Sequence, residues 1–193
     1  MTVVLIVVAE HFVAGKEAVA DCAAKGIEAG GNEGSCTERG TTLVVVDRHS
    51  TLKLASMDAR ITDVDARKTL KGPLGSRTAP GLFVVFHLAI TNLTDARAAV
   101  GAGQCVLYLN EVIDEAVEAE EGFEPGSFLR RDEEIPPRGT EDGTVVFSIG
   151  TKRVPKLRDD GNLDFLNLGK SVPPLEPEAI FSAAEYGVIR LYQ

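Results

Sequence analysis

The stretch GLFVVFHLAITNLTDA, residues 81–96, decides the fold. A helical reading gathers Leu82, Val85, Phe86, Ala89 and Ile90 on one face, but Val84 and Leu88 then spoil the polar face. A strand reading puts Val84, Phe86, Leu88 and Ile90 on one side, with Phe83, Val85, His87, Ala89 and Thr91 opposite. Branched and aromatic side chains fit a pleated, half-buried surface, so the strand is favoured. Gly81 and Asn92 bound the run, and Asn-Leu-Thr-Asp supplies turn chemistry. The run is predicted to be a central strand, buried on one face and partly covered on the other. His87 is expected to be packed within it without a chemical role. Asn92-Leu93-Thr94 also matches a glycosylation sequon, read here as a turn.

Working outward, similar apolar runs are TTLVVVD (41–47), TLKLASMDARITDV (51–64), QCVLYLNEVI (104–113), TVVFSIG (144–150), LDFLNL (163–168) and YGVIRLY (186–192). Leu52 and Leu54 alternate with Thr51 and Lys53. Val145, Phe147 and Ile149 alternate with Thr144, Val146 and Ser148. Short alternating runs separated by turn signals are the pattern of an all-β sandwich or barrel. The 19 glycines and 9 prolines supply that punctuation, and a 44% hydrophobic content is enough for a packed core.

The first forty residues differ. Residues 1–8 are almost wholly apolar, which fits a buried element or the tail of an export or anchor helix. They are too short to span a bilayer, which takes about twenty apolar residues. Residues 13–27 are Ala-rich and predict a short helix, followed by a Gly-rich linker over 29–35. Cys22 and Cys36 bracket this loop. A disulfide closing about fifteen residues would contribute roughly 3 kcal/mol by the chain-entropy model, and it belongs to an oxidising compartment. The alternative is two free thiols in a reducing one. Cys105, in an apolar run, reads as a small buried hydrophobe. Two segments are therefore expected: 1–40, an apolar segment, short helix and disulfide-closed linker, and 41–193, the sandwich.

The net charge of −9 argues against a nucleic-acid footprint and against attraction to an anionic membrane surface. Lys152, Arg153, Lys156 and Arg158 form a local basic cluster, read as a solvated loop because Asp159 and Asp160 follow it. The acids concentrate in residues 110–137, NEVIDEAVEAEEGFEPGSFLRRDEEIPP, read as an excursion between strands with some helical character, closed by a Pro136-Pro137-Arg138-Gly139 turn.

The order of "TLKL…DARIT", "GLFVVFHLAITN" with its following Thr-Asp, and "EEIPPRGTEDGTVVFSIGT" resembles a bacterial family of unknown function. Its members are exported, often antigen-like domains of immunoglobulin fold, commonly preceded by a membrane or lipoprotein anchor. The resemblance covers residues 42–169. It implies an immunoglobulin-like antiparallel β-sandwich and an extracellular or cell-surface location, membrane-anchored if the gene encodes an anchor. It implies no reaction and no catalytic residues.

Chemistry-bearing motifs are sparse. A phosphate loop at Gly169-Lys170-Ser171 fails at Asp164, and a dinucleotide fingerprint at Gly101-Ala102-Gly103 fails at Val106. His11, His49 and His87 are scattered, and no zinc spacing is present. Asp63-Val64-Asp65 begins a calcium loop but breaks off at Arg67. No cofactor, metal ligand or catalytic residue is assigned. The reading is a non-enzymatic, exported or cell-surface β-sandwich domain that binds a protein, peptide or glycan of the envelope. Its candidate partner surface is Glu118, Glu120, Glu121, Asp132, Glu133 and Glu134. The alternatives are a calcium-binding or hydrolytic module built on residues 111–134, for instance Asp114 with Glu134, and a structural spacer.

Overall fold

The computed structural model describes residues 34–38, 41–72, 75–100, 104–109, 112–115, 134–158, 161–166 and 185–191. They form two facing sheets, a two-stranded ribbon and a 3-10 helix, so the all-β sandwich expected from the sequence is the fold. The N-terminal apolar segment, the short helix and most of the acidic excursion lie outside the described residues. Among the described residues, no helix is long and apolar enough to cross a membrane.

The run that decides the fold lies in β5 (Gly75–Asn92), whose neighbours are β4 (Met57–Gly72) and β10 (Thr140–Ile149). With β3 (Leu52–Lys53) they give a four-stranded antiparallel sheet in the order β10-β5-β4-β3. The expected run 51–64 is thus two strands, because Leu54 N–H turns back to the carbonyl of Met57. The second sheet holds β1 (Gly34–Glu38), β2 (Thr41–Asp47), β12 (Glu185–Arg190), β11 (Asn162–Leu166), β7 (Cys105–Leu109) and β8 (Val112–Glu115), in that order. Its β12–β2 pair is parallel and its other pairs are antiparallel. At one end of that pair, Arg190 faces Asp47 in register, with Nη2 2.7 Å from Oδ1. β1 comes from the stretch read as linker and joins this sheet.

The core lies between the sheets. Val84, Phe86, Leu88 and Ile90 of β5 meet Val145, Phe147 and Ile149 of β10 there, together with Leu107, Leu163 and Ile189 of the opposite sheet. Phe86 and Phe147 pack edge to face, with centroids 5.7 Å apart. Burying a side chain of this size contributes about 1.5–3 kcal/mol, so these alternating residues hold the layers together. Val154 and Leu157 of the 3-10 helix (Thr151–Arg158) pack against the core, and Arg153 Nη2 donates to the Leu109 carbonyl at 2.8 Å. The basic cluster, expected to be a solvated loop, is therefore a docked helical segment. Its apolar residues alternate with the basic ones, which masked the pattern.

Two irregularities shape the β4–β5 hairpin. The register passes from Ile61↔Leu88 to Asp63↔His87, leaving Thr62 as an extra residue. It then passes from Arg67↔Phe83 to Thr69↔Thr78, leaving out Lys68 on one strand and residues 79–82 on the other. Lys68 Nζ donates to the carbonyls of Pro80 and Gly81, at 3.0 and 2.9 Å, within that break. Beyond it, Leu70 and Ala79 join Phe83, Val85 and Val146 in a second apolar cluster on the outer face of the four-stranded sheet.

The ribbon of β6 (Ala98–Ala99) and β9 (Glu134–Ile135) adds Ala98 and Ile135 to the core. Asn92, fully buried, ties this region together. Its Nδ2 donates to the carbonyls of Ala96, Ile135 and Pro136, and its Oδ1 accepts from the N–H and hydroxyl of Thr94. The sequon asparagine is thus a turn lock whose amide is already used. In the Pro136–Gly139 turn, Gly139 N–H donates to the Pro136 carbonyl, and Arg138 adopts φ 56° with its guanidinium on Asp95.

Candidate functional site

A β-strand presents alternate residues to opposite faces, and one extra residue reverses the phase. Met57 and Ala59 of β4 are buried in the core and Ile61 packs against it, so unbroken alternation would aim Asp63 and Asp65 inward as well. The Thr62 bulge turns them outward and lets Val64 take the inner side, packed against the core. Asp63, Asp65 and Arg67 then share the outer face with His87, which stands directly across from Asp63.

The acceptor and ring-nitrogen atoms of Asp63, Asp65 and His87 lie within 4.8 Å of one another. His87 Nε2 is 3.1 Å from Asp65 Oδ2, and the Arg67 guanidinium bonds the same oxygen. Asp63 uses one oxygen to accept the backbone N–H of Val64 at 2.8 Å. The side chains of His87, Asp65 and Arg67 are 34%, 42% and 38% exposed, so the cluster is half in water and open to a small solute. The Asp65 carboxyl is held below the ordinary carboxylate range, first by its hydrogen bond from His87, then by that from Arg67, against the opposing effect of burial.

His87 lies on the partly covered face, as the strand alternation expects, and its ring nitrogen is hydrogen-bonded to the Asp65 carboxylate. Unassigned in the sequence, Asp63, Asp65 and His87 form a donor set of two hard oxygens and one borderline nitrogen, which is metal-ligating chemistry. The Asp63-Val64-Asp65 pattern breaks off at Arg67 in sequence, and the third group beside these acids, His87, comes from β5. The available signal was the change in apolar phase between Ile61 and Val64.

Two of the other acidic candidates named from the sequence lie among the described residues. Glu134 is exposed on β9, and Asp114 lies on β8 of the six-stranded sheet. Glu118, Glu120, Glu121, Asp132 and Glu133 lie outside the described residues. Cys105 is a free, fully buried thiol within the inter-sheet core, whereas His87 is on the far face of the other sheet, so the two do not form a catalytic pair. Burial pushes the Cys105 thiol up to about 12. Cys36 is buried with Leu43, Val45 and Val188 and is not a free thiol; Cys22 lies outside the described residues. His49 is exposed in the turn after β2, and His11 lies outside the described residues.

No protein-family profile matches the chain, and no curated protein matches it significantly. Among solved structures, the chain is similar to the yjhA protein of Bacillus subtilis, with 9% identity, a TM-score of 0.50, and coverage of 76% of this chain and 99% of that one. It is also similar to an uncharacterised β-sandwich protein of Clostridium difficile, with 10% identity, a TM-score of 0.47, and coverage of 80% and 98%. A third is a Bacillus subtilis protein provisionally described as a lipoprotein, with 14% identity and a TM-score of 0.42. There the match takes in 67% of this chain but only 36% of that protein's length. At such identities the likeness is one of fold, and a shared sandwich does not carry function with it.

Proposed function

We propose that this chain is an exported, cell-surface β-sandwich module of immunoglobulin-like type that binds a protein, peptide or glycan of the cell envelope without catalysing a reaction. One observation carries the reading. The acidic segment 111–134 leaves the six-stranded sheet at β8 and re-enters the fold at β9, where Ile135 is in the core and Asn92 holds the carbonyls of Ile135 and Pro136. A charged segment rooted on rigid strands is how a sandwich presents a recognition surface. The parallel β2–β12 pair in an otherwise antiparallel framework supports the immunoglobulin-like part, and a Cys22–Cys36 disulfide would fit export.

The test has two arms. Replacing Glu118, Glu120, Glu121, Asp132, Glu133 and Glu134 with lysine is expected to abolish retention on isolated envelope preparations while leaving the melting curve intact. Unchanged retention discards that surface. For compartment, the denatured but unreduced protein is expected to expose one reactive thiol, Cys105, and the reduced protein all three. Three reactive thiols before reduction would remove the support for export.

A further inference from the structure

The Asp63–Asp65–His87 cluster is separate from the acidic segment and stands independently of the envelope reading. We infer that these three residues form a binding site for a single divalent transition-type cation of the zinc class, held by two carboxylate oxygens and the Nε2 of His87. Three features of the geometry support this. The donors come from two adjacent strands in fixed register, Asp63 opposite His87, so their approach is set by the sheet and not by a loose loop. Their atoms already converge within 4.8 Å. Zinc–ligand bonds of about 2.0–2.2 Å put neighbouring ligand atoms roughly 3.3–3.6 Å apart, which side-chain rotations of about an ångström would reach. The backbone Val64 N–H also fixes one oxygen of Asp63, as the outer shell of a metal site orients its ligands.

The donor types choose among cations. Calcium and magnesium take six or more oxygens and have no use for imidazole, whereas zinc, cobalt and nickel accept mixed nitrogen and oxygen sets. Three protein ligands leave a coordination position open toward solvent, where water or a carboxylate of a bound molecule would complete the shell.

Arg67 makes the inference sharply testable. In the metal-free arrangement its guanidinium pairs with Asp65, and the His87 ring nitrogen is hydrogen-bonded to the same oxygen. A cation must displace both, and the Arg67 side chain is 38% exposed. Arg67 is therefore a competitor of the metal. If the cluster were only a structural ion-pair network, removing Arg67 would weaken it and affect no metal.

The experiment is calorimetric titration of chelator-treated protein with zinc chloride and, separately, calcium chloride. Cobalt(II) absorption serves as a reporter of coordination. One equivalent of zinc is expected to bind, raising the melting temperature, with calcium giving no comparable effect. Asp63→Asn and His87→Gln are each expected to weaken zinc by at least about tenfold, and Arg67→Met to tighten it several-fold. Circular dichroism of each variant reports that the fold is kept. Absence of zinc binding, zinc binding that survives His87→Gln, or preference for calcium would each overturn the inference.

Discussion

His87 Nε2 lies 3.1 Å from Asp65 Oδ2 across 22 residues of sequence, and the contact depends on the bulge that sets Thr62 outside the pairing register. Deleting Thr62 joins Ile61 directly to Asp63, so ordinary alternation keeps Asp63 and Asp65 on the outer face and Val64 on the inner one. The deletion buries no carboxylate and is expected to keep a cooperative unfolding transition in urea. Thr62→Ala keeps the residue count and is expected to shift the midpoint by less than about 1 kcal/mol. Loss of cooperative unfolding in the deletion variant would show that Thr62 is more than an extra residue taken up by the bulge.

Gly81 has a different constraint. A Cβ there would lie 1.9 Å from the Ile149 carbonyl oxygen and 2.7 Å from Gly150 Cα, both backbone atoms that cannot step aside alone. Gly81→Ala is expected to destabilise by about 1–3 kcal/mol, the range for overpacked sites, with a matching fall in the denaturation midpoint. Gly150→Ala meets nothing within 4 Å and is the control, expected to be close to neutral.

The strands that alternate cleanly were legible, because burial on one face leaves a period-two record in Val84, Phe86, Leu88 and Ile90 and in Val145, Phe147 and Ile149. The distal half of the β4–β5 hairpin was not. Residues 69–72 and 75–78 are largely polar and exposed, and they are strands because they pair with each other. β1 hid in a Gly-rich stretch for a related reason: its partner, β2, carries the apolar signal. The cluster needed one more step. Asp63, Asp65 and His87 are individually unremarkable, and only the register, bulge included, places them together. Pairing register is a long-range property that no local pattern records.

Asn92 tests how the ribbon is held to the sandwich. Asn92→Ala takes this partner from the buried Ile135 carbonyl and the half-buried Thr94 N–H, while the Pro136 and Ala96 carbonyls keep bonds from the Gly139 N–H and the Thr94 hydroxyl. Unsatisfied buried groups cost about 1–3 kcal/mol each before relaxation, so a net loss of roughly 2–3 kcal/mol is expected in chemical denaturation. Asn92→Asp is nearly isosteric but offers no donor to the three carbonyls, and it is expected to be at least as damaging. A mild Asn92→Asp would mean that shape, not donation, is what matters there.

Cys105 gives the stability curve an alkaline limb. Its thiol is pushed up from 9.0 to about 12 by burial, because a thiolate between the sheets would lose its hydration. Between those values the folded protein keeps the proton and the unfolded chain releases it. Stability from this group is therefore complete below about pH 9 and is lost as pH rises toward 12, at up to about 1.4 kcal/mol per pH unit. Urea midpoints followed from pH 8 to 10.5 are expected to fall in the wild type and to fall less steeply in Cys105→Ala, whatever the offset that substitution introduces. The same burial predicts that the native thiol resists alkylation and reacts only at the rate of unfolding. Parallel pH slopes in the two proteins would show that the alkaline loss arises from other groups.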